Sequence, residues 1–301
     1  MVSYPFSALA SAADPCGKHS RKEPVMHECA AGGLPRIVPA LSGIPETLLW
    51  TLHSRAKEAA RPGGRLRDPE AQRIYAAIDY DFDGRFGAPH PLFSLRAALI
   101  DEALRRWLRR HPDGLVVSLG EGLETQAFRV DNGRMRWLSV DLPEVVRLRE
   151  MFIQPAGRFA HLACSATDHA WMDQVDTQLP LYIVAQGLFM YLDPNDVRRL
   201  LLAIAERFPG GNLVFDVVGR DLSEATLRGH QQSETYRLPA MPWGLNRNEV
   251  VATLRKWKIP ATEIRFLPYR ADRHRGPVIE SLLDRLLPSR QAHASLVSLA
   301  F

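Results

Sequence analysis

Two glycines and one acid carry the clearest chemical signal in the chain. A short apolar run, Leu115 to Leu119, stops at Gly120-Glu121-Gly122. A run of this length bounded by glycine reads as a buried parallel strand. Glycines at its carboxyl end let the backbone turn tightly and come close to a ligand. A second apolar run, Trp137 to Val140, ends in Asp141. That acid lies about 20 residues beyond the glycines, the spacing at which a doubly wound fold holds a ribose diol. Together the two strand ends point to a nucleotide-like ligand.

Strands alternating with helices must position these groups. Strands are expected at 115–119, 136–140, 159–163, 181–185, 213–218, 262–267 and 294–301. Helices are expected just after the first strand, at 143–152, near Trp171, and at 194–208, 247–257 and 277–287. Pro143 opens one helix and Asp193-Pro194 caps another. This alternation implies an α/β fold, a doubly wound and mostly parallel seven-stranded sheet with helices on both faces.

Residues 41–114 read as a helical cap over the ligand edge of that sheet. Its first helix, 44–60, faces Leu48, Leu49, Leu52 and Ala56 inward, with Pro45 at its first position. A second covers 69–79, and Asp81 to Pro89 is turn-rich. A third, 91–110, aligns Leu92, Leu95, Leu99, Leu104 and Leu108, and ends at His111-Pro112-Asp113-Gly114. Residues 1–40, rich in Ala, Ser, Gly and Pro without a period, read as a disordered or loosely attached arm. The domain at 115–301 is interrupted at 220–246, a polar stretch without a clear period that reads as a lid after the fifth strand.

Composition narrows the function classes. The 301 residues are 46% hydrophobic and 24% charged, ordinary for a globular chain that buries its core without disulfides. Cys16, Cys29 and Cys164 show neither a disulfide framework nor zinc spacing, so no metal is expected and a reducing, cytoplasmic setting is. The net charge of +4 comes without a nucleic-acid recognition motif and reads as solvated surface. No stretch reaches the ~20 apolar residues that span a membrane. The N-terminus lacks a basic-then-apolar leader, so no export is expected.

At Val117-Ser-Leu-Gly-Glu-Gly-Leu-Glu-Thr125, Arg129, Val140-Asp-Leu-Pro-Glu144 and Gln186-Gly-Leu-Phe-Met-Tyr-Leu192, the sequence resembles the leucine carboxyl methyltransferase family. The likeness is closer to that family's bacterial polyketide O-methyltransferases, and it covers residues 44–301. It implies the class I methyltransferase fold, Rossmann-like, with an antiparallel final strand. It also implies S-adenosyl-L-methionine as cofactor and methylation of an oxygen, typically a carboxylate, on a small-molecule acceptor. Gly120 and Gly122 match the turn beside the cofactor's methionine part, or form a purely structural turn. Asp141 matches the ribose ligand, its carboxylate accepting two charge-assisted bonds, and also suits a helix cap before Pro143. Asp168 matches the acceptor for the adenine amino group, or caps a helix. Arg96 matches an arginine that reaches the cofactor carboxylate, or lies on a solvated helix face. Thr125, Leu142, Gln186 and Gly187 complete the cofactor-binding motifs. Three residues depart from the family pattern: Glu121 replaces a small residue, Gln126 an arginine and Gln186 a glutamate. Glu121 either restores the charge missing at 186, in which case Glu121→Gln weakens cofactor binding, or points to solvent.

Methyl transfer from a sulfonium is an in-line displacement in which the protein supplies orientation and a dry site. A carboxylate acceptor is already ionised and needs no base, whereas an alcohol or phenol needs activation. His169 and His230 are the candidates for that task, and both also read as surface histidines. Arg220, Arg228 and Arg237 either clamp an acidic acceptor or decorate a solvated loop. Tyr191 and Met190 line the pocket or pack beneath it, and Trp243 is a candidate apolar wall. Tyr191, His230 and Arg237 are the positioning candidates. Two other readings stand beside the enzyme: a non-catalytic relative, suggested by positions 121, 126 and 186, and a dinucleotide oxidoreductase. The latter lacks its third glycine, because position 125 is threonine.

Overall fold

The computed structural model describes residues 25–27, 36–267 and 294–301. Strands β1 (Val25–His27) and β2 (Arg36–Val38) pair antiparallel. The cap follows as α1 (Thr47–Ala60), α2 (Pro69–Ala77), α3 (Phe82–Phe86) and α4 (Pro91–Leu108). The alternating region runs β3 (Leu115–Leu119), α5 (Gln126–Val130), β4 (Arg136–Asp141), α6 (Pro143–Glu150) and β5 (Phe159–Ala163). After a 3-10 helix, His169–Gln174, come β6 (Leu181–Ala185), α7 (Pro194–Arg207), β7 (Asn212–Val217), α8 (Arg220–Leu227), α9 (Arg247–Lys256), β8 (Glu263–Leu267) and β9 (Ser295–Ala300).

The seven-stranded sheet has the order β5-β4-β3-β6-β7-β9-β8. Its first five strands are parallel, and β9 lies antiparallel between β7 and β8. The doubly wound, mostly parallel fold expected from the alternation is therefore the one observed. Successive side chains of each central strand enter opposite cores, as the two-residue period of a strand requires. Leu115, Val117 and Leu119 join Val197, Leu200, Leu201 and Ile204 of α7. Val116, Trp137, Tyr182 and Val184 join Ile100, Leu104, Trp107 and Leu108 of α4. Burying each such Leu or Ile stabilises the fold by ~1.5–3 kcal/mol relative to exposure. The sheet order reverses at β3, which pairs with β4 on one side and β6 on the other. In open α/β sheets, ligands bind at the carboxyl ends on either side of such a switch point.

The cap departs from expectation in instructive ways. Pro45 lies in a turn, with Thr47 N–H donating to Ile44 O, and α1 begins after it. Leu48, Leu49, Leu52 and Ala56 are buried as the spacing predicts, but so are His53, Ser54 and Arg55. Asp81 to Pro89 is not all turn: Asp81 caps the short α3 by accepting from Gly84 N–H. The inward face of α4 is Ser94, Arg96, Ala97, Ile100, Asp101, Leu104, Trp107 and Leu108, while Leu92 is exposed. The leucine stripe found Leu104 and Leu108 and missed the rest of that face, because α4 also buries two charged residues, Arg96 and Asp101. The supposed arm is also partly docked. Ile37 is buried, and its carbonyl accepts from Asp79 N–H.

Residues 220–246 contain a helix that the pattern did not show. The buried residues of α8 are Ser223 and Thr226, both small and polar, so the segment carries no apolar stripe. The loop after it is fastened to α3. Ser233 Oγ donates to Arg85 O, Thr235 Oγ1 donates to Gly84 O, and the Arg85 guanidinium donates to Thr235 O. Tyr236 meets Phe86 edge to face at 4.8 Å. Cys16, Cys29 and the helix expected at 277–287 lie outside the described residues. Among the described residues no helix is long and apolar enough to cross a membrane, and no cluster of His, Cys, Asp or Glu is placed to hold a metal ion.

Candidate functional site

A cavity of about 420 Å³ opens over the carboxyl ends of β3, β4 and β6. Its floor is the turn after β3, with Gly120 and Gly122. Asp141 and Leu142 enter from β4, Ser165 and Ala166 from beyond β5, and Gln186, Gly187 and Tyr191 from beyond β6. Thr47, Leu48 and Thr51 of α1 and Arg96 of α4 supply the roof. Residues of α1 and α4 thus line the cavity at this edge of the sheet.

The turn requires its glycines. Gly120 and Gly122 have φ of 63° and 59°. A Cβ at Gly120 would sit 2.9 Å from Leu188 Cδ1, and one at Gly122 would sit 2.9 Å from Leu48 Cβ. At either position a side chain would strain the backbone and press on a leucine of the cavity lining. Beneath the turn lies Arg149 of α6, 1% exposed. Its Nη1 donates to Gly122 O at 2.9 Å and Glu124 O at 2.7 Å, and its Nη2 lies 3.2 Å from Glu121 Oε1. Glu121 also accepts from Trp137 Nε1 at 3.1 Å. Burial raises the Glu121 carboxyl and Arg149 opposes that shift. One sequence expectation for Glu121 is corrected by this geometry: the side chain is fully buried rather than solvated, and Arg149 is its charge partner.

Asp141 has both carboxylate oxygens engaged at the turn. Oδ2 accepts from Gly122 N–H at 2.6 Å and Oδ1 from Leu142 N–H at 2.8 Å. Burial lifts its carboxyl to about 6, against the pull of these two N–H groups and of Arg149. A half-buried carboxylate at a strand tip, with its residue lining a cavity, suits a ligand that brings hydroxyl donors.

A buried ion cluster joins cap to turn. Arg129 donates to Asp101, Asp68 and Glu124 at 2.6–2.8 Å. Arg55 of α1 donates to Asp68 at 2.9 Å and Leu123 O at 2.8 Å. Gln126, standing where an arginine was expected, donates to Asp101 at 2.7 Å, so this departure has a partner of its own. Gln186 Nε2 donates to Glu124 Oε2 at 3.2 Å, so that departure has one as well. Arg96 is not on a solvated face: it is 6% exposed, and Nη1 donates to Asp216 Oδ2 at 2.6 Å. Asp216 Oδ1 accepts from Gly187 N–H at 2.6 Å. One aspartate thus ties the cap's arginine to the turn after β6.

Several expected site residues lie elsewhere. Thr125 is wholly buried and its Oγ1 donates to Asp68, outside the cavity lining. Asp168 is exposed and caps the 3-10 helix by accepting from Ala170 N–H. His169, His230 and Arg237 are exposed and do not line the cavity. Arg220 pairs with Glu249 and Arg228 with Glu224, so neither forms a clamp. Met190 packs in the hydrophobic cluster of the cap helices and does not line the cavity, and Trp243 packs among Phe189, Phe215 and Trp257 in the main core. Tyr191 does line the cavity, with its hydroxyl pushed up to about 12 by burial. Sequence reasoning did not single out Arg149, Arg55, Asp216 or Glu124. The first two are arginines inside helical patterns, and Asp216 lies inside an apolar strand run, Leu213 to Val218. That acid amid hydrophobes was the one readable signal.

A model described as leucine carboxyl methyltransferase matches residues 49–205. The tetracenomycin polyketide synthesis O-methyltransferase of Streptomyces glaucescens is 35% identical over 181 residues, covering 59% of this chain and 67% of that protein. An S-adenosyl-L-methionine-dependent methyltransferase of Gibberella zeae is 29% identical over 204 residues, covering 60% of this chain and 67% of that protein. Among solved structures, a protein from Thermobifida fusca proposed to be a methyltransferase is similar at 16% identity and a TM-score of 0.48, covering 87% of this chain and 94% of the other.

Proposed function

The chain belongs to the leucine carboxyl methyltransferase family and is an S-adenosyl-L-methionine-dependent methyltransferase, and from that premise we propose that it methylates an oxygen of a small, polyketide-like acceptor. The observation that carries the placement of the cofactor is the cavity between the glycine turn, Asp141 and Arg96. The residues fit the group. Gly120 and Gly122 leave bare backbone in the cavity lining, where a Cβ would meet Leu188 or Leu48, and the buried Gln186 Oε1 has no hydrogen-bond partner among the described residues. Asp141 would take the ribose hydroxyls, with Leu142 beside it. The backbone at Gly120, Gly122 and Gly187 would face the methionine part, and Arg96, held by Asp216, would face its carboxylate.

Bound there, the cofactor supplies a methyl group already activated by its sulfonium. The protein's share is orientation and exclusion of water. Tyr191 keeps its proton at neutral pH, so it positions an acceptor by donating a hydrogen bond rather than by acting as a base. Among the described residues, the ionisable side chains lining the cavity are Arg96, Glu121, Glu124, Asp141, Glu144 and Tyr191, with no histidine. This favours an acceptor whose oxygen is ionised on arrival, a carboxylate first and an acidic phenol second. The family match and the likeness to two methyltransferases support an active enzyme over a non-catalytic relative. The oxidoreductase reading falls with the family membership.

The test is incubation with methyl-labelled cofactor and a panel of aromatic carboxylic acids, phenols and amines. Label that alkali releases as methanol marks a methyl ester and is the expected result. Label confined to nitrogen acceptors, or no transfer by protein that binds the cofactor, overturns the proposal.

A further inference from the structure

The family pattern expects a negative charge at the end of β6, and this chain has Gln186 there. The cofactor's amino acid part carries an ammonium, so an anion is needed nearby. Glu121 does not serve, because Arg149 and Trp137 occupy its carboxylate.

Glu124 sits one turn further along and lines the same cavity. Its two oxygens have different roles. Oε1 receives Arg129 Nη1 at 2.7 Å, Arg55 Nη1 at 3.0 Å and Thr125 N–H at 2.8 Å. Oε2 receives Gln186 Nε2 at 3.2 Å. Gln186 thereby turns its own Oε1 away from Glu124, and that buried oxygen has no partner among the described residues. A buried acceptor left without a donor is costly unless a ligand satisfies it. Burial alone would raise the Glu124 carboxyl, but Arg129 and Arg55 outweigh it and hold the group at about 2. Glu124 is therefore an anion at every working pH.

We propose that Glu124 and Gln186 together form the ammonium site, Glu124 Oε2 supplying the charge and Gln186 Oε1 a second acceptor. The charge has moved from the strand β6 end to the turn after β3, and the arginine cluster fixes it in place. This rests on the cofactor reading given above and names the residues that recognise one end of the ligand.

The test compares S-adenosylhomocysteine with its deaminated analogue, in which hydrogen replaces the amino group, by calorimetric titration. The unaltered protein is expected to prefer the amino compound by about tenfold or more, the yield of a charge-assisted contact. Glu124→Gln should lose most of that preference by weakening the amino compound, leaving the deaminated one within about twofold. Because Glu124 also serves the ion cluster, Gln186→Leu provides a second reading free of that burden. It should reduce the preference several-fold. Full preference retained in either folded variant overturns the proposal. Equal weakening of both ligands by both variants does so too, since it marks a merely structural role. If the unaltered protein binds neither compound, the cofactor reading itself fails, a result distinct from these.

Discussion

Replacing Asp141 by alanine is expected to weaken S-adenosylhomocysteine binding by about 100-fold or more. Two hydrogen bonds from ribose hydroxyls to a carboxylate are worth ~1.5–3 kcal/mol each, and the lower value for both is already about two decades of affinity. Asp141 also accepts from Gly122 and Leu142 N–H, so alanine frees the turn as well. Asp141→Asn separates the effects, since it keeps the shape and one acceptor oxygen while losing the charge. The titration of this residue gives the sharper signature. Its carboxyl is lifted to about 6, chiefly by burial. The form that accepts from two hydroxyls is the carboxylate, which is lost as pH falls through 6. Affinity should therefore hold from pH 8 to 7 and then fall, approaching tenfold per pH unit below the titration. Asp141→Asn should bind weakly and show no such fall. Affinity of the unaltered protein that stays level from pH 8 to 5 would remove Asp141 from the ligand's contacts.

Arg149→Met is expected to produce the largest loss of stability of any substitution near the site, about 3–5 kcal/mol. The guanidinium is buried and holds two carbonyls of the glycine turn. Its Nε donates to His161 Nε2 at 3.3 Å, which needs a neutral imidazole. Burial and the neighbouring Arg149 push His161 down to about 3, so the ring is neutral. Removing Arg149 strands the buried Glu121 without its cation and leaves the Gly122 and Glu124 carbonyls without this donor. Urea unfolding measures the loss, and Arg149→Met combined with Glu121→Gln should recover a substantial part of it. A single-variant loss below 1 kcal/mol would show that Arg149 does not hold the turn.

The parts of this architecture that rest on local periodicity were legible in the sequence. Strands at 115–119, 159–163 and 181–185 matched residue for residue, because short apolar runs between glycine, proline and polar turns leave little choice of boundary. The glycine turn and Asp141 were legible for the same reason, since both sit at strand ends. The groups that shape the site from behind were not. Arg149 and Arg55 occupy helical positions where an arginine ordinarily snorkels to solvent. Only the packing of α1 and α6 against the turn buries them. The leucine stripe of α4 caught Leu104 and Leu108 but missed the rest of the inward face, because that helix also turns Arg96 and Asp101 inward. Asp168, His230 and Arg237 carried the right chemistry for the site on segments that the fold places outside the cavity.

The most direct test of the central claim is calorimetric titration of the folded protein with S-adenosyl-L-methionine and with S-adenosylhomocysteine. Saturable binding of both at one site per chain, with no response to nicotinamide dinucleotides, is the predicted result. No heat and no thermal stabilisation from either compound, in protein whose folded state is verified by circular dichroism, would contradict it.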